Sequence, residues 1–209
     1  MWRDRIIKNR KGFTGLEAAI VLIAFVTVAA IFSYVMLGAG FFTAQKGKQS
    51  VDTGVKQASS ALELDGQYIY LRANKTGSNG DIKEIYFYVT LTAGGTPVDL
   101  NKTVLAIRWG DDYVQIPYDT KYNASGKHYP LWNWTCVVGD GDNLLEIYEK
   151  YKITINITAI KYHYNSTYNL TINYPKVREQ ITIELKPPVG APLILSKILP
   201  PSLQELTYV

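Results

Sequence analysis

The hydrophobic pattern of the chain opens with 25 uncharged residues, 18–42, which follow a basic leader that ends at Lys11-Gly12. A run of this length spans the apolar core of a bilayer as a helix. Between the leader and the run lies a short patch, Phe13 to Glu17, that contains one acid. A secretory signal peptide is cleaved after its apolar run. Here Gly12, the small residue that suits cleavage, precedes the run, so a cut between Gly12 and Phe13 keeps the apolar helix in the mature protein.

Helical periodicity continues beyond the uncharged run. One face carries apolar residues at spacings of four, three and four positions, namely Val51, Val55, Ala58 and Leu62. This spacing indicates an amphipathic helix. We therefore predict one helix from about Phe13 to Leu62 and assign residues 13–64 to this element. Fifty residues with a rise of 1.5 Å each give a length of about 75 Å, more than a membrane anchor needs.

From Gln67 onward the hydrophobic period changes to two. Eight runs rich in β-branched and aromatic residues are separated by turn-forming clusters, at 67–73, 81–92, 102–109, 112–116, 131–138, 151–160, 166–174 and 179–185. Ile153, Ile155 and Ile157 alternate with polar residues, so one face of the sheet is expected to form a core. Short strands at this spacing predict a sandwich. The fold class is therefore α+β, a long N-terminal hydrophobic α-helix followed by an all-β, immunoglobulin-like sandwich head over residues 65–209.

Two blocks near the ends of the chain resemble one family. Lys11-Gly12-Phe13, with Glu17 as the fifth residue after the cut, is similar to the class III (prepilin-like) signal peptide of archaeal flagellins, or archaellins, and of type IV pilins. The segment Gly38-Ala39-Gly40-Phe41-Phe42 is closer to archaellins than to pilins in general. Residues 186–193, KPPVGAPL, and Pro200-Pro201 resemble the usual archaellin C-terminal region.

The resemblance implies a structural subunit of the archaellum, the archaeal swimming filament. A prepilin peptidase-like protease would remove residues 1–12, and the helix would leave the cytoplasmic membrane to pack with other copies at the centre of an extracellular filament. The archaellum assembly platform and motor are the other implied partners. Glu17 would pair with the new α-amino group of Phe13 on a neighbouring subunit. A type IV pilus-like adhesive filament and a membrane-anchored, glycosylated binding module remain as alternatives.

The charge distribution and the cysteine content limit the kinds of protein that this chain can be. The net charge of +4 lies in the leader, which carries Arg3, Arg5, Lys8, Arg10 and Lys11 against Asp4. Basic residues beside an apolar span stay cytoplasmic, so the head is expected outside the cell. The remaining chain is near neutral, which argues against a nucleic-acid partner. A single cysteine, Cys136, excludes an internal disulfide framework.

The number of asparagine sequons is a second indication that the chain is exposed on the cell surface. Seven of the eleven asparagines stand in N-x-[ST] sequons, at Asn74, Asn101, Asn123, Asn133, Asn156, Asn165 and Asn169. Such a frequency favours an N-glycosylated surface protein. Asn74 and Asn123 lie in predicted turns and are the best candidates for modification. Asn133 and Asn156 lie within predicted strands, which leaves their use open.

The residues that could support catalysis are few. His128 and His163 are the only histidines, and no nucleophile motif accompanies them. Cys136 lies in an apolar strand and is expected to be a buried, inert thiol. Asp140-Gly141-Asp142-Asn143 contains part of a calcium-loop pattern without its later glutamate, so a polar turn is the favoured interpretation. We therefore predict no enzymatic activity, no metal and no cofactor.

Overall fold

The computed structural model describes residues 15–59, 62–93, 95–124 and 127–209. Its Cα positions form two compact units, one ending at Asp52 and the other beginning at Thr53. The predicted cleavage residues Lys11, Gly12 and Phe13 lie outside the described residues, so the leader remains a prediction from sequence.

The first element, α1 (Gly15–Ser59), is a 45-residue helix. It ends earlier than the 13–64 boundary predicted from sequence. Leu62–Leu64 instead forms strand β1, which pairs antiparallel with strand β3 (Asp81–Leu91). Leu62-Glu63-Leu64 alternates in the manner of a strand, and pairing with β3 buries the Leu62 side chain. The helical spacing of Leu62 was therefore overridden by sheet pairing.

The head contains two large antiparallel sheets. Besides β1 and β3, the strands are β2 (Tyr70–Lys75), β4 (Val98–Asp99), β5 (Val104–Trp109), β6 (Asp112–Pro117), β7 (Lys121–Ala124), β8 (Lys127–Pro130), β9 (Trp132–Val138), β10 (Leu144–Leu145), β11 (Lys150–Asn156), β12 (Gln180–Lys186), β13 (Leu193–Ile198) and β14 (Leu206–Tyr208). The larger sheet has the order β14-β2-β3-β11-β9, with β1 also on β3, and the smaller sheet has the order β13-β12-β5-β6. Short antiparallel pairs form between β4 and β10 and between β7 and β8.

Both large sheets contribute alternate side chains to one hydrophobic core. Phe87 of β3 stands opposite Ile153 of β11 in the larger sheet, and Ile107 of β5 stands opposite Ile183 of β12 in the smaller sheet. All four are fully buried in the same cluster. Trp132 of β9 connects the sheets further, because its indole Nε1 donates to the Ile116 carbonyl of β6 at 3.0 Å. The predicted helix followed by a β-sandwich is confirmed.

One part of the strand prediction was wrong. The segment after β11 forms a helix, α2 (Ile157–Tyr168), and residues 169–174 form no strand. Asn156 caps the helix by accepting a hydrogen bond from the Ala159 N–H at 2.9 Å, which satisfies an otherwise unpaired helical donor. The helix ends at Asn169 in the left-handed conformation, with φ 53°. These two asparagine caps outweighed the β-branched and aromatic composition of the segment.

The C-terminal segment adds one edge strand to each sheet. β13 pairs with β12 in the smaller sheet, and β14 pairs with β2 in the larger. Beyond β14, Val209 and Ile69 exchange both backbone hydrogen bonds at 2.8 and 3.0 Å. The segment 186–193, which carries the sequence resemblance, connects β12 to β13. The chain end is therefore an integral part of the head.

Candidate assembly surface

The helix α1 exposes an almost continuous apolar surface. Side chains on all its faces are exposed in the single chain, among them Leu16, Ile20, Leu22, Phe25, Val28, Phe32, Leu37 and Phe41. Its most apolar 18-residue window has a mean hydropathy of 2.7 and is 0% buried. A helix that is hydrophobic all round is stable only in lipid or in a larger apolar core. The described chain supplies no such core for it, so α1 is the surface most in need of a partner.

Glu17 interrupts this apolar surface in the first turn of α1. Its side chain is exposed in the single chain. A carboxylate in the first turn interacts favourably with the helix dipole, but in hydrocarbon it costs several kcal/mol. The partner predicted for it, the amino group of Phe13, lies outside the described residues.

Gly38 and Gly40 leave the backbone in the middle of α1 uncovered by side chains. A Cβ added at Gly38 or Gly40 would meet no heavy atom within 4 Å. The packing of the single chain therefore does not require glycine there. Small residues on an apolar helix do allow a second helix backbone to approach closely. The hydroxyl of Thr43 donates to the Ala39 carbonyl at 2.9 Å, so this polar group does not prevent apolar contact.

The two favoured sequon asparagines lie in strands, which corrects the prediction of turns. Asn74 is in β2, which extends past its apolar run, and Asn123 is in β7, where it stands opposite His128 of β8. Both side chains are exposed. Asn74 Nδ2 donates to Asp81 Oδ1 at 3.0 Å, and Asn123 Oδ1 contacts His128 Nδ1.

The other five sequon asparagines fall into two groups. Asn101, Asn133 and Asn169 are exposed, whereas Asn156 and Asn165 are half-buried. The amide oxygens of the half-buried pair accept backbone N–H groups, from Ala159 at 2.9 Å and from Ile172 at 3.0 Å. Asn156 is not in the middle of a strand as predicted but at the end of β11. Exposure therefore separates the seven sequons more clearly than predicted turns did.

The structure gathers no catalytic constellation from the predicted candidates. His128 is exposed on β8, and His163 lies on α2, where burial lowers its pKa. Within residues 15–59, 62–93, 95–124 and 127–209, no group of three or more His, Cys, Asp or Glu side chains could hold a metal ion. Cys136 is half-buried rather than buried as predicted, and it packs against the edge of the core.

The loop between β9 and β11 is built around a residue that sequence analysis did not select. Glu149 is only 8% exposed. Its Oε1 accepts the Asp140 N–H at 3.1 Å, and its Oε2 accepts the Glu146 N–H at 2.9 Å. Gly139 has φ 144°, and a Cβ there would also clash with the Glu149 carboxylate, so glycine is strongly favoured at this position. The sequence pattern Asp140-Gly141-Asp142-Asn143 predicts a polar turn in this loop but does not mark Glu149.

Comparisons with known proteins agree with this architecture. The profile of the archaeal-type flagellin family matches residues 12–197. A probable flagellin 2 of Archaeoglobus fulgidus is 53% identical over 98% of this chain and 97% of its own length. The archaeal flagellum of Methanospirillum hungatei strain JF1 gives a TM-score of 0.66 at 34% identity, covering 91% of this chain and 96% of that chain. The crystal structure of a Methanocaldococcus jannaschii archaeal flagellin, with a TM-score of 0.50 and 18% identity over 71% of this chain and 96% of its own, shares the fold.

Proposed function

The chain belongs to the archaeal-type flagellin family, and from this premise we propose how it reaches and builds its filament. It is a structural subunit of the archaellum, the filament that archaea use to swim, and not an enzyme. The observation that carries this function is that one chain contains both an exposed apolar helix and a well-packed β-sandwich. Copies bury the helices against one another, and the heads face outward.

Processing comes before assembly. A prepilin peptidase-like protease cuts between Gly12 and Phe13 and removes the basic leader. The motif Lys11-Gly12-Phe13 and its position ahead of the apolar run support this step. The cut creates a charged α-amino group on Phe13, next to the apolar helix. The carboxylate of Glu17 on a neighbouring subunit then pairs with this amino group.

Before assembly the helix lies in the cytoplasmic membrane. The segment Gly15–Val55 is long and apolar enough to span it, and the basic leader holds the N-terminus on the cytoplasmic side. The archaellum assembly platform then transfers the processed subunit into the base of the filament, and the motor rotates the finished polymer. The apolar surface of α1 exchanges lipid for neighbouring helices in this transfer.

Deletion of the gene tests the function directly. We expect cells without this chain to lose surface filaments and to stop swimming, and a plasmid copy to restore both. Electron micrographs and tracking of single cells measure the two properties. Loss of filaments with normal swimming would support the adhesive pilus instead. A surface protein that is present but never found in purified filaments would support the anchored binding module.

Glycans are expected on the exposed asparagines of the head. We expect several of Asn74, Asn101, Asn123, Asn133 and Asn169 to be modified, with Asn74 and Asn123 among them. The half-buried Asn156 and Asn165 should carry no glycan, because their side chains accept hydrogen bonds from the backbone N–H groups of Ala159 and Ile172. Peptide mass mapping of purified filaments, before and after deglycosylation, measures occupancy. A mature mass equal to the bare polypeptide would contradict this prediction and make the sequons a by-product of threonine-rich strands.

A further inference from the structure

A short turn ahead of β11 projects two apolar side chains from the head. Tyr148 is 90% exposed and Ile147 is 41% exposed. The Glu149 N–H donates to the Glu146 carbonyl at 3.3 Å and closes the turn. Tyr148 has φ 71°, a conformation that is unfavourable for a bulky residue. Strain of this kind is retained where the surroundings enforce it, and it concentrates at functional positions. We refer to Ile147 and Tyr148 as the knob.

The backbone of the turn that carries the knob is fixed before it meets any partner. The two carboxylate oxygens of Glu149 accept the N–H groups of Asp140 and Glu146, as described above, and so tie together both ends of the loop. Tyr151 adds a further tie, because its hydroxyl donates to the Asp142 carbonyl at 3.0 Å. A turn whose backbone is already fixed loses little freedom on binding. These features make the knob a suitable anchor for a protein interface.

An aromatic cleft of about 440 Å³ opens elsewhere on the same head. Tyr122, Tyr129 and Tyr162 line it, and the first and last stack with ring centres 5.9 Å apart. Tyr129 and Tyr162 remain 41% and 48% exposed. Pockets for whole ligands begin at about 300 Å³, so the cleft has room for an aromatic side chain and a small neighbour.

The knob and the cleft lie at opposite ends of strand β11. The strand begins at Lys150, directly after the knob turn, and ends at Asn156, which lines the cleft. Seven residues of strand span about 20 Å. The knob therefore cannot enter the cleft of its own head, but it can enter that of a second head placed end to end. A repeating contact between two different surfaces is the kind that generates an open helical polymer.

Charge favours the same pairing. The loop that carries the knob contains Asp140, Asp142 and Glu146 and no basic residue. The cleft presents Lys83, and no carboxylate of the described residues forms a salt bridge with it. Glu84, which also lines the cleft, is paired with Arg72 at 3.2 Å. With the knob in the cleft of a second copy, the acidic loop would lie near Lys83, and complementary charge of this kind fixes the register of an interface.

We propose that the Ile147–Tyr148 knob of one subunit inserts into the Tyr122–Tyr129–Tyr162 cleft of a second copy in the outer layer of the filament. This contact rests on the filament function and specifies which surfaces of the heads meet. It also requires Asn156 to carry no glycan, since a sugar there would occupy the cleft.

Cysteine cross-linking tests the contact in assembled filaments. In a Cys136→Ser background, Ile147→Cys is combined with Tyr129→Cys, and purified filaments are treated with a mild oxidant. We expect a ladder of dimers, trimers and higher oligomers on a denaturing gel, because each subunit links to two neighbours. The matched control combines Ile147→Cys with Tyr113→Cys, a tyrosine of β6 that is more exposed than Tyr129, and should give no ladder.

Tyr148 variants provide a second test that does not depend on new thiols. Glycine adopts a positive φ without strain, so Tyr148→Gly should leave the thermal stability of the head unchanged or raised while filaments dissociate at lower denaturant concentration. Tyr148→Phe keeps the ring and should behave as the natural chain. Intact filaments that give only monomers after oxidation, or Tyr148→Gly filaments of unchanged stability, would overturn the contact without affecting the filament function. A glycan found on Asn156 of assembled filaments would overturn it too.

Discussion

A chain carrying Gly12→Val is expected to stay in the membrane with its leader attached and to build no filaments. The branched valine replaces the small residue that suits the cut, so the leader with its four net positive charges remains joined to the apolar helix. Those charges hold the N-terminus at the cytoplasmic face. They would also bring several cations into an apolar helix bundle, where charge is costly. The loss of assembly should therefore be complete.

Intact-mass measurement of membrane and filament fractions checks this result. The natural chain in filaments should begin at Phe13, and the valine variant should appear only in membranes as the full-length chain. Gly12→Ala is the matched control, because it keeps a small residue at the cut and should still be processed and assembled. A filament subunit that begins at Met1, or beyond Phe42, would contradict the whole account of processing.

The regular part of the head could be predicted because burial imposes a period of two. In β3, Ile85, Phe87 and Val89 are all fully buried, and their alternation is visible in the sequence. The same pattern failed after Asn156. There a single amide accepts the Ala159 N–H and starts a helix, and the buried Ile157 and Ile160 suit a helical face as well as a strand. Short β-branched segments thus need their capping contacts to be assigned.

The surfaces between copies were harder to anticipate than the fold. Lys83, Tyr129 and Tyr162 are distant in sequence and share a cleft only because β3, β8 and α2 meet. Likewise, nothing in the sequence marks Glu149 as the residue that fixes the knob turn. In contrast, the apolar surface of α1 can be predicted from sequence, because a helix that is hydrophobic on every face appears there as a long run without charged residues. A contact surface formed by one continuous segment can be predicted from sequence. A surface formed by segments that only the fold brings together cannot.

The second large effect is expected at Glu17, where Glu17→Ala should permit membrane insertion and leader removal but give few or no filaments. The alanine makes the span more apolar, so insertion is not impaired. In the assembled bundle, however, the amino group of Phe13 from a neighbouring subunit would lose its carboxylate. Removing one partner of a buried ion pair typically costs about 3–5 kcal/mol, because the other charge is left uncompensated. That cost recurs at every subunit of the polymer.

Two variants distinguish this pairing from a local effect on the helix. Glu17→Asp keeps the charge on a shorter side chain and should retain part of the assembly. Glu17→Gln keeps the length but removes the charge, so it should fail almost as fully as alanine. Filament yield and length, counted in micrographs of cells with equal amounts of processed subunit, measure the difference. Normal filaments from the alanine variant would show that Glu17 serves only the helix dipole, which is worth less than about 1 kcal/mol at an exposed first turn.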